Sequence, residues 1–363
     1  MLETFNIQSE SGSYEVSIGS HMLVDGLESE AHKCLKLIDD NVDRLWPLVC
    51  QETGLKVFAV EQNKTLEQVA HLIEALRGLG ANRNSYLYAF GGGIVQDLAT
   101  FVASSYMRGI PWAYCPTTLL GMVDSCIGGK SSLNVGIYKN IAGNFYPPKK
   151  ILIDIAFCQT LTIQEKIAGL CEAIKICFAS PSSALEDCID IFDGKMEALS
   201  EKRLFDIVCL SLATKKMFIE EDEFDQGIRL LLNFGHTFGH AIEAATHFSV
   251  THGVAVGVGM LAEIELSILR GVDLDGCDRV EKLKTYLYGL FKNLPDLKNQ
   301  LSTLSVADAV ASFRSDKKHS NDKYYLILVD SQGGLERQGL LINPELEFQI
   351  ETIFSNIKKG LLF

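Results

Sequence analysis

Length, composition and charge already exclude several classes of protein. The chain has 363 residues, of which 47% are hydrophobic and 22% charged, and its formal net charge is -13. A chain of this length exceeds one compact core, so we expect two domains. Nucleic acid and membrane surfaces are polyanions that this charge would repel, which disfavours both as partners. An anionic small-molecule substrate would need a locally basic pocket.

The cysteines and the first residues indicate a cytoplasmic protein. The ten cysteines are scattered without a CxxC pair, which is typical of reduced thiols in the cytosol. Residues 1–6 contain neither the basic start nor the apolar block of a secretion signal. The longest apolar stretch, 253–269, is interrupted by Glu263 and Glu265 and falls short of a membrane span.

The first half of the chain alternates strand-like and helical patterns. Residues 4–18 alternate polar and apolar side chains around a Ser-Gly-Ser turn, which predicts an opening β-hairpin. Further strands are predicted at 34–38, 57–60, 85–90, 112–115 and 151–153. Strands separated by helices predict a parallel sheet with crossover connections.

Beyond about residue 155 the periodicity becomes mostly helical. Amphipathic stretches lie at 163–178, 184–221, 229–247 and 253–270, and one strand-like run follows at 324–329. We therefore predict an α/β protein with two domains. Residues 1–155 would form a Rossmann-like nucleotide-binding domain, and residues 156–363 a mainly α-helical domain that binds metal and substrate.

A glycine-rich turn is the first candidate binding feature. The sequence GGGIVQD at 91–97 follows a predicted strand and precedes a helix expected from Leu98 to about Met107. Backbone amides at such a helix start can cradle a pyrophosphate. The spacing is not GxGxxG, so a plain strand-to-helix turn is the alternative interpretation.

Polar residues at the ends of two other predicted strands favour the nucleotide interpretation. Asp39 and Asn41 end one strand, where a carboxylate can bind an adenosine ribose. Glu61 and Lys64 end the next.

A candidate metal site dominates the second half. Arg229, Asn233, His236 and His240 are spaced by four, three and four residues. On one continuous helix they would occupy an arc of roughly 60° at about 100° per residue. The opposite face carries Leu231, Phe234, Phe238 and Ala241, which would pack against a core.

Two further residues complete a plausible ligand set. His252 begins the next predicted helix, and Glu172 shares a helical face with Lys175 at i+3. Three protein ligands and one open position are typical of a catalytic zinc site. The spacing leaves open which of His236 and His240 is the ligand, and nitrogen and oxygen donors of this kind also accept cobalt.

Basic and amide side chains form a third candidate set. An acidic protein needs such a cluster to hold phosphate and carboxylate groups. For any single lysine, a solvated surface charge is the alternative. The candidates are Lys130, Lys139, Asn140, Lys175, Lys215, Arg229, Lys317 and Lys318.

Several ordered motifs resemble those of 3-dehydroquinate synthase and the wider sugar phosphate cyclases, from about residue 35 to 330. They are GGGIVQDLA at 91–99, YMRGI at 106–110, PTTLLGMVDS at 116–125, GGK at 128–130, KN at 139–140, GLCEAIK at 169–175 and LNFGHTFGHAIE at 232–243.

The resemblance implies a role for individual residues. Glu172, His236 and His252 would bind zinc, and His240 would face the substrate and assist proton transfer. The implied NAD contacts are Asp39, Asn41, Glu61, Lys64, Gly92, Gly93, Asp97, Thr117, Thr118, Asp124, Lys130 and Lys139. The implied substrate contacts are Asp97, Lys130, Asn140, Lys175, Lys215, Arg229, Asn233 and one of Lys317 and Lys318. Arg108 would reach the phosphate bound by the neighbouring subunit, which implies a homodimer.

The implied reaction is NAD- and zinc-dependent cyclisation of 3-deoxy-D-arabino-heptulosonate 7-phosphate to 3-dehydroquinate, with phosphate released and NAD regenerated. Val254, where the family commonly has an acidic residue, and Ser131-Ser132-Leu133, in place of a Thr-Gly-Val-like stretch, depart from the family pattern. These departures leave a paralogous cyclase with another sugar phosphate open. Lys215 and Arg229 favour a substrate that bears a carboxylate.

Two other functions remain as alternatives. A metal-dependent polyol or glycerol phosphate dehydrogenase would share the two-domain plan and the glycine turn, but it would accumulate NADH. A non-catalytic relative would require the loss of a ligand or a basic anchor, and none is missing from the sequence.

Overall fold

A parallel sheet organises the first part of the chain. The structure is a computed structural model that describes residues 1–23, 34–47, 54–136 and 138–362. Within these residues, seven strands pair in the order β1-β2-β9-β6-β5-β3-β4. They are β1 (Leu2–Ser9), β2 (Gly12–Gly19), β3 (Cys34–Asp39), β4 (Gly54–Val57), β5 (Tyr86–Gly91), β6 (Trp112–Pro116) and β9 (Lys150–Asp154). A separate antiparallel hairpin contains β7 (Leu133–Val135) and β8 (Tyr138–Ala142).

The pairing confirms the predicted hairpin and the predicted parallel sheet. Strands β1 and β2 pair antiparallel, with Ile7 opposite Tyr14, and both of these side chains are buried. The other neighbours in the sheet pair in parallel. Because carboxyl ends of parallel strands share one edge, the turns after β3, β4, β5 and β6 lie at that edge, where open α/β sheets bind their ligands.

Two predicted elements near this edge start at different residues from those expected. The predicted strand 57–60 is wrong, because the strand is β4 and ends at Val57. Glu61 lies in a 3-10 turn, Glu61–Asn63, and Lys64 follows it, so neither ends a strand. The helix after the glycine turn begins at Gly93 rather than Leu98, because Gly92 is already its N-cap.

The helices of this part are α1 (Asp40–Leu45), α2 (Leu66–Gly78) and α3 (Gly93–Ser105). Short 3-10 or π turns lie at Tyr106–Arg108, Gly121–Ser125 and Ile155–Thr160.

The described chain divides into two compact units. The first contains Met1–Leu161 and Lys215–Phe224, and the second contains Thr162–Thr214 and Asp225–Phe363. The functional domain boundary at residue 155 stays a prediction.

Helices dominate the second unit, as the periodicity predicts. They are α4 (Ile163–Ala179), α5 (Ala184–Ile191), α6 (Glu201–Glu221, which continues into the first unit), α7 (His236–Ala245), α8 (His252–Leu269), α9 (Asp278–Phe291), α10 (Leu297–Ser302), α11 (Val306–Arg314) and α12 (Pro344–Lys358). The predicted strand at 324–329 is confirmed as β10 (Lys323–Val329). It pairs antiparallel with β11 (Leu335–Leu341), which the sequence analysis missed.

Two of the predicted helices are broken. The stretch 184–221 forms α5 and α6: α5 ends at Ile191, Phe192 is already extended, and Gly194 has φ +86°. The stretch 229–247 is also not one helix. Ile228–Asn233 forms a 3-10 turn, Gly235 adopts φ +78°, and α7 begins only at His236. The predicted common face of Arg229, Asn233, His236 and His240 is therefore wrong, since it assumed an unbroken helix.

Helix α8 is the central helix of the second unit. Its neighbours include α4, α7, β10 and α12. By length and composition it could cross a membrane, but 78% of its apolar window is buried inside the folded chain. The core helix of a folded domain has the same properties, so this helix alone is weak evidence for a membrane span.

Glycines on α8 allow two neighbouring helices to approach its backbone. A Cβ on Gly253 would overlap the carbonyl oxygen of Ala168 in α4, and one on Gly257 would lie 2.9 Å from Cys171 Sγ. A Cβ on Gly259 would overlap the carbonyl oxygen of Gly235, directly before α7. Three glycines on one helix therefore set the separation of α8 from α4 and from the start of α7.

The described cysteines are all free thiols, and most are buried. Cys50 lies outside the described residues. Among the nine described cysteines, the prediction of unpaired thiols is confirmed.

The packing at Gly259 predicts a specific loss of stability. We expect Gly259→Ala to lower the free energy of unfolding by about 3 kcal/mol, because the added methyl group must push α8 away from Gly235. Gly289→Ala in α9 is the matched control: its Cβ would meet backbone atoms no closer than 3.4 Å. Alanine also favours a helix interior. Urea unfolding followed by circular dichroism measures both variants, and equal effects would contradict the packing argument.

Candidate functional site

Three helices of the second unit bring Glu172, His236 and His252 together. Glu172 lies in the middle of α4, and the two histidines are the first residues of α7 and α8. One potential ligand atom from each residue lies within 4.8 Å of the others. The Nε2 atoms of His252 and His236 are 3.6 and 3.9 Å from Glu172 Oε1. Two imidazole nitrogens and a carboxylate oxygen are a donor set that suits zinc or cobalt.

The opposite nitrogen of each imidazole is held by another group. His236 Nδ1 lies 3.3 Å from the carbonyl oxygen of Phe234. His252 Nδ1 lies 3.0 Å from Glu243 Oε2. Because these oxygens accept a proton from Nδ1, the neutral form of each imidazole has its Nε2 lone pair directed to the shared space.

Burial and charge shift the two histidines in opposite directions. Burial lowers the pKa of His236 well below its usual value, and the positive charges of Lys175, His252 and His240 lower it further. Burial alone would also lower the pKa of His252. The carboxylate of Glu243, which is hydrogen-bonded to it, and that of Glu172 outweigh this effect and raise the pKa to about 9 in the protein without metal.

His240 has different surroundings from His236. It is exposed on α7 and lies within reach of Glu243 and His252, with which it forms a second possible ligand group. Partial desolvation lowers its pKa, and the charges of His252 and Lys318 lower it further. The group that contains the buried Glu172 includes His236 and not His240.

Glu172 forms a fully buried ion pair with Lys175 one turn further along α4. A carboxylate in such surroundings keeps its charge only with cationic partners. The ammonium of Lys175 therefore stabilises the ionised form of Glu172 and leaves its Oε1 atom beside the histidines.

Of the two lysines in the run 316–318, only one influences the histidines of the candidate site. Lys317 is exposed, whereas Lys318 is half-buried and bonds Asp316 Oδ2 at 2.8 Å. The charge of Lys318 lowers the pKa of both His236 and His240. Of the two lysines, Lys318 is the one that acts on the histidines.

Arg229 and Asn233 come from the 3-10 turn before α7. Arg229 is buried, and Asn233 donates its amide to the Leu230 carbonyl at 3.1 Å. The turn ends at Gly235, whose N–H donates to the buried Glu263 Oε2 at 2.7 Å. Glu263 therefore fixes the bend that starts α7 at His236.

A polar network in the first unit centres on Lys64. Its Nζ donates to Asn140 Oδ1 at 2.8 Å and lies 3.2 Å from Asp97 Oδ2 and 3.6 Å from Glu61 Oε1. Ser132 donates to both oxygens of Asp97, through its N–H at 3.0 Å and its hydroxyl at 3.1 Å. The structure thus joins residues that the sequence analysis divided between cofactor and substrate.

Burial raises the pKa of Asp97, although Lys64 and Ser132 oppose this shift. The Asn140 backbone, at φ +53°, is held by its N–H bond to Asn134 Oδ1 at 3.0 Å. Asn134 also bonds Glu61 Oε1 at 2.9 Å, so hairpin β7–β8 is tied to the turn after β4.

The glycine turn lies at the carboxyl edge of the sheet, between β5 and α3. A Cβ on Gly92 would lie 2.9 Å from Thr118 Cγ2, so only glycine fits there without a shift. A Cβ on Gly93 would meet nothing within 4 Å, which leaves the helix start accessible. The N–H of Thr117 donates to the Gly91 carbonyl at 3.0 Å and joins β6 to the same turn.

Asp39 and Asn41 lie at the same edge, after β3. The Asp39 carboxylate caps α1 by accepting the Asn41 N–H at 2.9 Å. Partial burial raises its pKa against this hydrogen bond. If Asp39 binds a ribose, its carboxylate must accept hydrogen bonds from the ribose and from the Asn41 N–H at the same time.

The remaining candidates of the first unit are in varied environments. Lys215 is buried and paired with Asp124, whose carbonyl it also contacts at 2.5 Å. Lys130 lies 6.0 Å from the centre of the Phe145 ring. Lys139 is 3.9 Å from Glu61 Oε1, and Arg108 is exposed with φ +70°.

Sequence reasoning missed Glu243, Glu263, Ser132 and Asn134 as members of these networks. Glu243 had a usable signal, because it lies seven residues after His236 and so on the same helical face. The others had none, since their partners are distant in sequence.

Comparison with known proteins first shows the class of fold. A solved structure of 2-deoxy-scyllo-inosose synthase, described as complexed with carbaglucose-6-phosphate, NAD+ and Co2+, covers 98% of this chain and 99% of its own with a TM-score of 0.83 and 23% identity. The 2-epi-5-epi-valiolone synthase of Streptomyces hygroscopicus subsp. jinggangensis 5008, solved with NAD+ and Zn2+ bound, covers 94% of this chain and 97% of its own with a TM-score of 0.78 and 24% identity. The chain shares its fold with these two synthases, and the predicted α/β and helical architecture is confirmed.

Sequence comparison then identifies the family. Residues 54–168 match the family model described as 3-dehydroquinate synthase N-terminal, and residues 169–319 match 3-dehydroquinate synthase C-terminal. The 3-dehydroquinate synthase of Alkaliphilus metalliredigens (strain QYMF) is 35% identical over 354 residues, which are 95% of this chain and 97% of that protein. That of Dehalococcoides mccartyi (strain CBDB1) is 38% identical over 294 residues, or 81% and 79% of the two chains. The chain belongs to the 3-dehydroquinate synthase family, which confirms the resemblance found in its motifs.

The buried pair in α4 predicts a large effect of a single substitution. We expect Lys175→Met to lower the free energy of unfolding of the metal-free protein by about 3–5 kcal/mol, because the buried Glu172 carboxylate loses its ammonium partner. The double variant Glu172→Gln/Lys175→Met should recover part of this loss. Denaturant unfolding measures both.

An exposed ion pair provides the control for that experiment. Lys202 and Asp206 pair on the surface of α6, and Lys202→Met should cost about 1 kcal/mol or less. If Lys175→Met costs no more than Lys202→Met, the pair does not stabilise Glu172.

Proposed function

We propose that this protein converts 3-deoxy-D-arabino-heptulosonate 7-phosphate to 3-dehydroquinate, with NAD and a zinc or cobalt ion as cofactors and phosphate as the second product. It would thus be a carbon-oxygen lyase of the shikimate pathway. The observation that carries the proposal is the convergence of Glu172, His236 and His252 from three helices, in a chain that two 3-dehydroquinate synthases match over 95% and 81% of its length.

We assign the metal to Glu172, His236 and His252. The donor chemistry fits, because a carboxylate oxygen and two Nε2 atoms face one space while both Nδ1 atoms are held by other oxygens. The site also has cationic support, since Lys175 holds the second oxygen of Glu172. His240, outside this ligand group but near His252, is proposed to exchange protons with the substrate.

When bound, NAD would supply reversible hydride transfer and the metal would supply polarisation of an alcohol oxygen, which side chains alone lack. The protein's own groups bind and orient. Lys175, Lys318 and the buried Arg229 would neutralise substrate anions, while Asn233 would donate a hydrogen bond. Lys317 is exposed, so we favour Lys318 for this role.

NAD binding is assigned to the carboxyl edge of the sheet in the first unit. Gly93 leaves the start of α3 open to a pyrophosphate, and Gly92 lets the turn pack against Thr118, which adjoins Thr117. Asp39, Asn41, Glu61, Lys64, Asp97, Asp124, Lys130 and Lys139 are the further cofactor candidates. Asp97, Lys130, Asn140 and Lys215 keep the substrate roles that the family resemblance implies.

The particular sugar phosphate depends on a second anion site. Lys215 and Arg229 are both buried, and we keep both as the candidates for a substrate carboxylate. A paralogous cyclase remains the second candidate function, because two solved structures of similar fold are a 2-deoxy-scyllo-inosose synthase and a 2-epi-5-epi-valiolone synthase.

A homodimer in the cytoplasm completes the proposal. Arg108 is exposed in a turn where Met107 and Arg108 both have positive φ, as suits a side chain that serves another subunit. Light scattering should give twice the chain mass of 40.0 kDa, and a monomer would remove this role from Arg108.

The free thiols of the described cysteines favour the cytoplasm, and detection of the native protein in the exported fraction of cells would contradict this assignment.

The reaction can be tested directly. We expect the purified protein, with zinc and NAD, to release phosphate from 3-deoxy-D-arabino-heptulosonate 7-phosphate without net NADH, because the hydride is returned in each turnover. The product mass should be that of 3-dehydroquinate. Other seven-carbon sugar phosphates, assayed in parallel, identify a paralogous cyclase. Net NADH accumulation without phosphate release would instead indicate a dehydrogenase.

The ligand assignment has a test that is independent of catalysis. We expect His236→Ala and His252→Ala to lose bound zinc after dialysis, because each removes one of three donors. His240→Ala should retain zinc and lose turnover. Metal content by mass spectrometry, combined with the phosphate assay, separates the two effects. Zinc loss in His240→Ala together with retention in His236→Ala would reverse the assignment.

A further inference from the structure

We propose that Glu243 is a positioning residue for the metal site. Its carboxylate would hold the His252 imidazole so that Nε2, and not Nδ1, faces the metal. This inference rests on the proposed metal site. It concerns a side chain that the motif analysis left without a role.

The geometry places His252 between two carboxylates. Its Nδ1 is 3.0 Å from Glu243 Oε2, and its Nε2 is 3.6 Å from Glu172 Oε1. Glu243 lies on α7, seven residues after His236, so it shares a helical face with that histidine. Helix α7 therefore supplies one proposed ligand and also the group that orients the ligand on α8.

The chemistry of the imidazole makes this contact directional. A neutral imidazole carries one N–H, and an ionised carboxylate only accepts hydrogen bonds. The proton must then reside on Nδ1, which leaves the Nε2 lone pair for a metal. Without Glu243 two other states become accessible: the other tautomer places the proton on Nε2, and a ring rotation directs Nδ1 into the site. Outer-shell partners of this kind typically change metal affinity by about 10–100-fold.

The two histidines differ in how their orientation is fixed. His236 Nδ1 is held by the carbonyl of Phe234, which no substitution removes. His252 begins α8 with its side chain partly exposed, at 37%, so packing restrains it less than His236, at 14%. Glu243 is thus the side chain through which the orientation of a proposed ligand can be altered without altering the ligand.

The test measures metal binding by the full-length metal-free protein. Glu243→Met keeps the length and helix preference of the side chain but removes the acceptor oxygens, and Glu243→Gln keeps one acceptor without the charge. Glu265→Gln is the matched control, because it lies on α8 about 20 Å along the helix from His252. Zinc affinity is measured by competition with a chromophoric chelator, and the absorption spectrum with Co2+ reports ligand geometry.

We expect the wild type and Glu265→Gln to bind one zinc per chain with equal affinity. Glu243→Met should bind 10–100-fold more weakly with an altered Co2+ spectrum, and Glu243→Gln should be intermediate. Urea unfolding verifies that the metal-free variants fold. If Glu243 had only a structural role, its substitution would lower the free energy of unfolding of the metal-free protein. If Glu243→Met does not fold, Glu243→Ala takes its place.

Three outcomes would overturn the inference, and they are distinguishable. A folded Glu243→Met with wild-type affinity and Co2+ spectrum removes the role of Glu243 and leaves the metal site intact. A wild type that binds no zinc removes both. Two zinc ions per wild-type chain, with one lost in Glu243→Met, would make Glu243 a ligand in the second group with His240 and His252.

Discussion

The close approach of α4, α7 and α8 is the constraint on which the second unit depends. Glycines 253, 257 and 259 let α8 contact the backbone or small side chains of its neighbours, where any larger residue would overlap them. Glu172, His236 and His252 belong to these three helices, and two of them are the first residues of their helix. The separation of the helices therefore determines whether their side chains share one space. The close packing of the three helices is therefore also what brings the candidate metal ligands together.

Buried carboxylates then determine how those side chains are oriented. Glu263 fixes the Gly235 turn before His236, Glu243 contacts His252, and Glu172 is itself paired with Lys175. Each carboxylate is placed where a backbone or side-chain donor lowers the cost of its burial. The first unit uses the opposite arrangement, in which one buried cation, Lys64, is surrounded by oxygens of Glu61, Asp97 and Asn140.

Periodicity and motif order predicted the sheet, the helical second half and the family, because these depend on local patterns and on long ordered motifs. The break of the histidine helix was missed, since hydrophobic spacing is insensitive to one glycine at φ +78°. Spacing alone left open the choice between His236 and His240, which only the family resemblance made. The two histidines lie one turn apart on α7, and the position of Glu172 on α4 distinguishes them in the structure. The hydrogen-bonded network around Lys64 was not predicted, because Lys64, Asp97 and Asn140 are far apart in the chain and meet only through the fold.

The position of α8 has a consequence for how the protein is made. Two of its partners, α4 and α7, precede it in the chain, whereas β10 and α12 follow it, and the N–H of Val329 donates to Ser267 of α8 at 3.0 Å. During translation an unusually apolar helix therefore leaves the ribosome with one side still uncovered. It stays so until the residues of β10 and α12 have also emerged, at roughly 5–20 residues per second. Nascent chains stalled before β10 should be the form most dependent on chaperones.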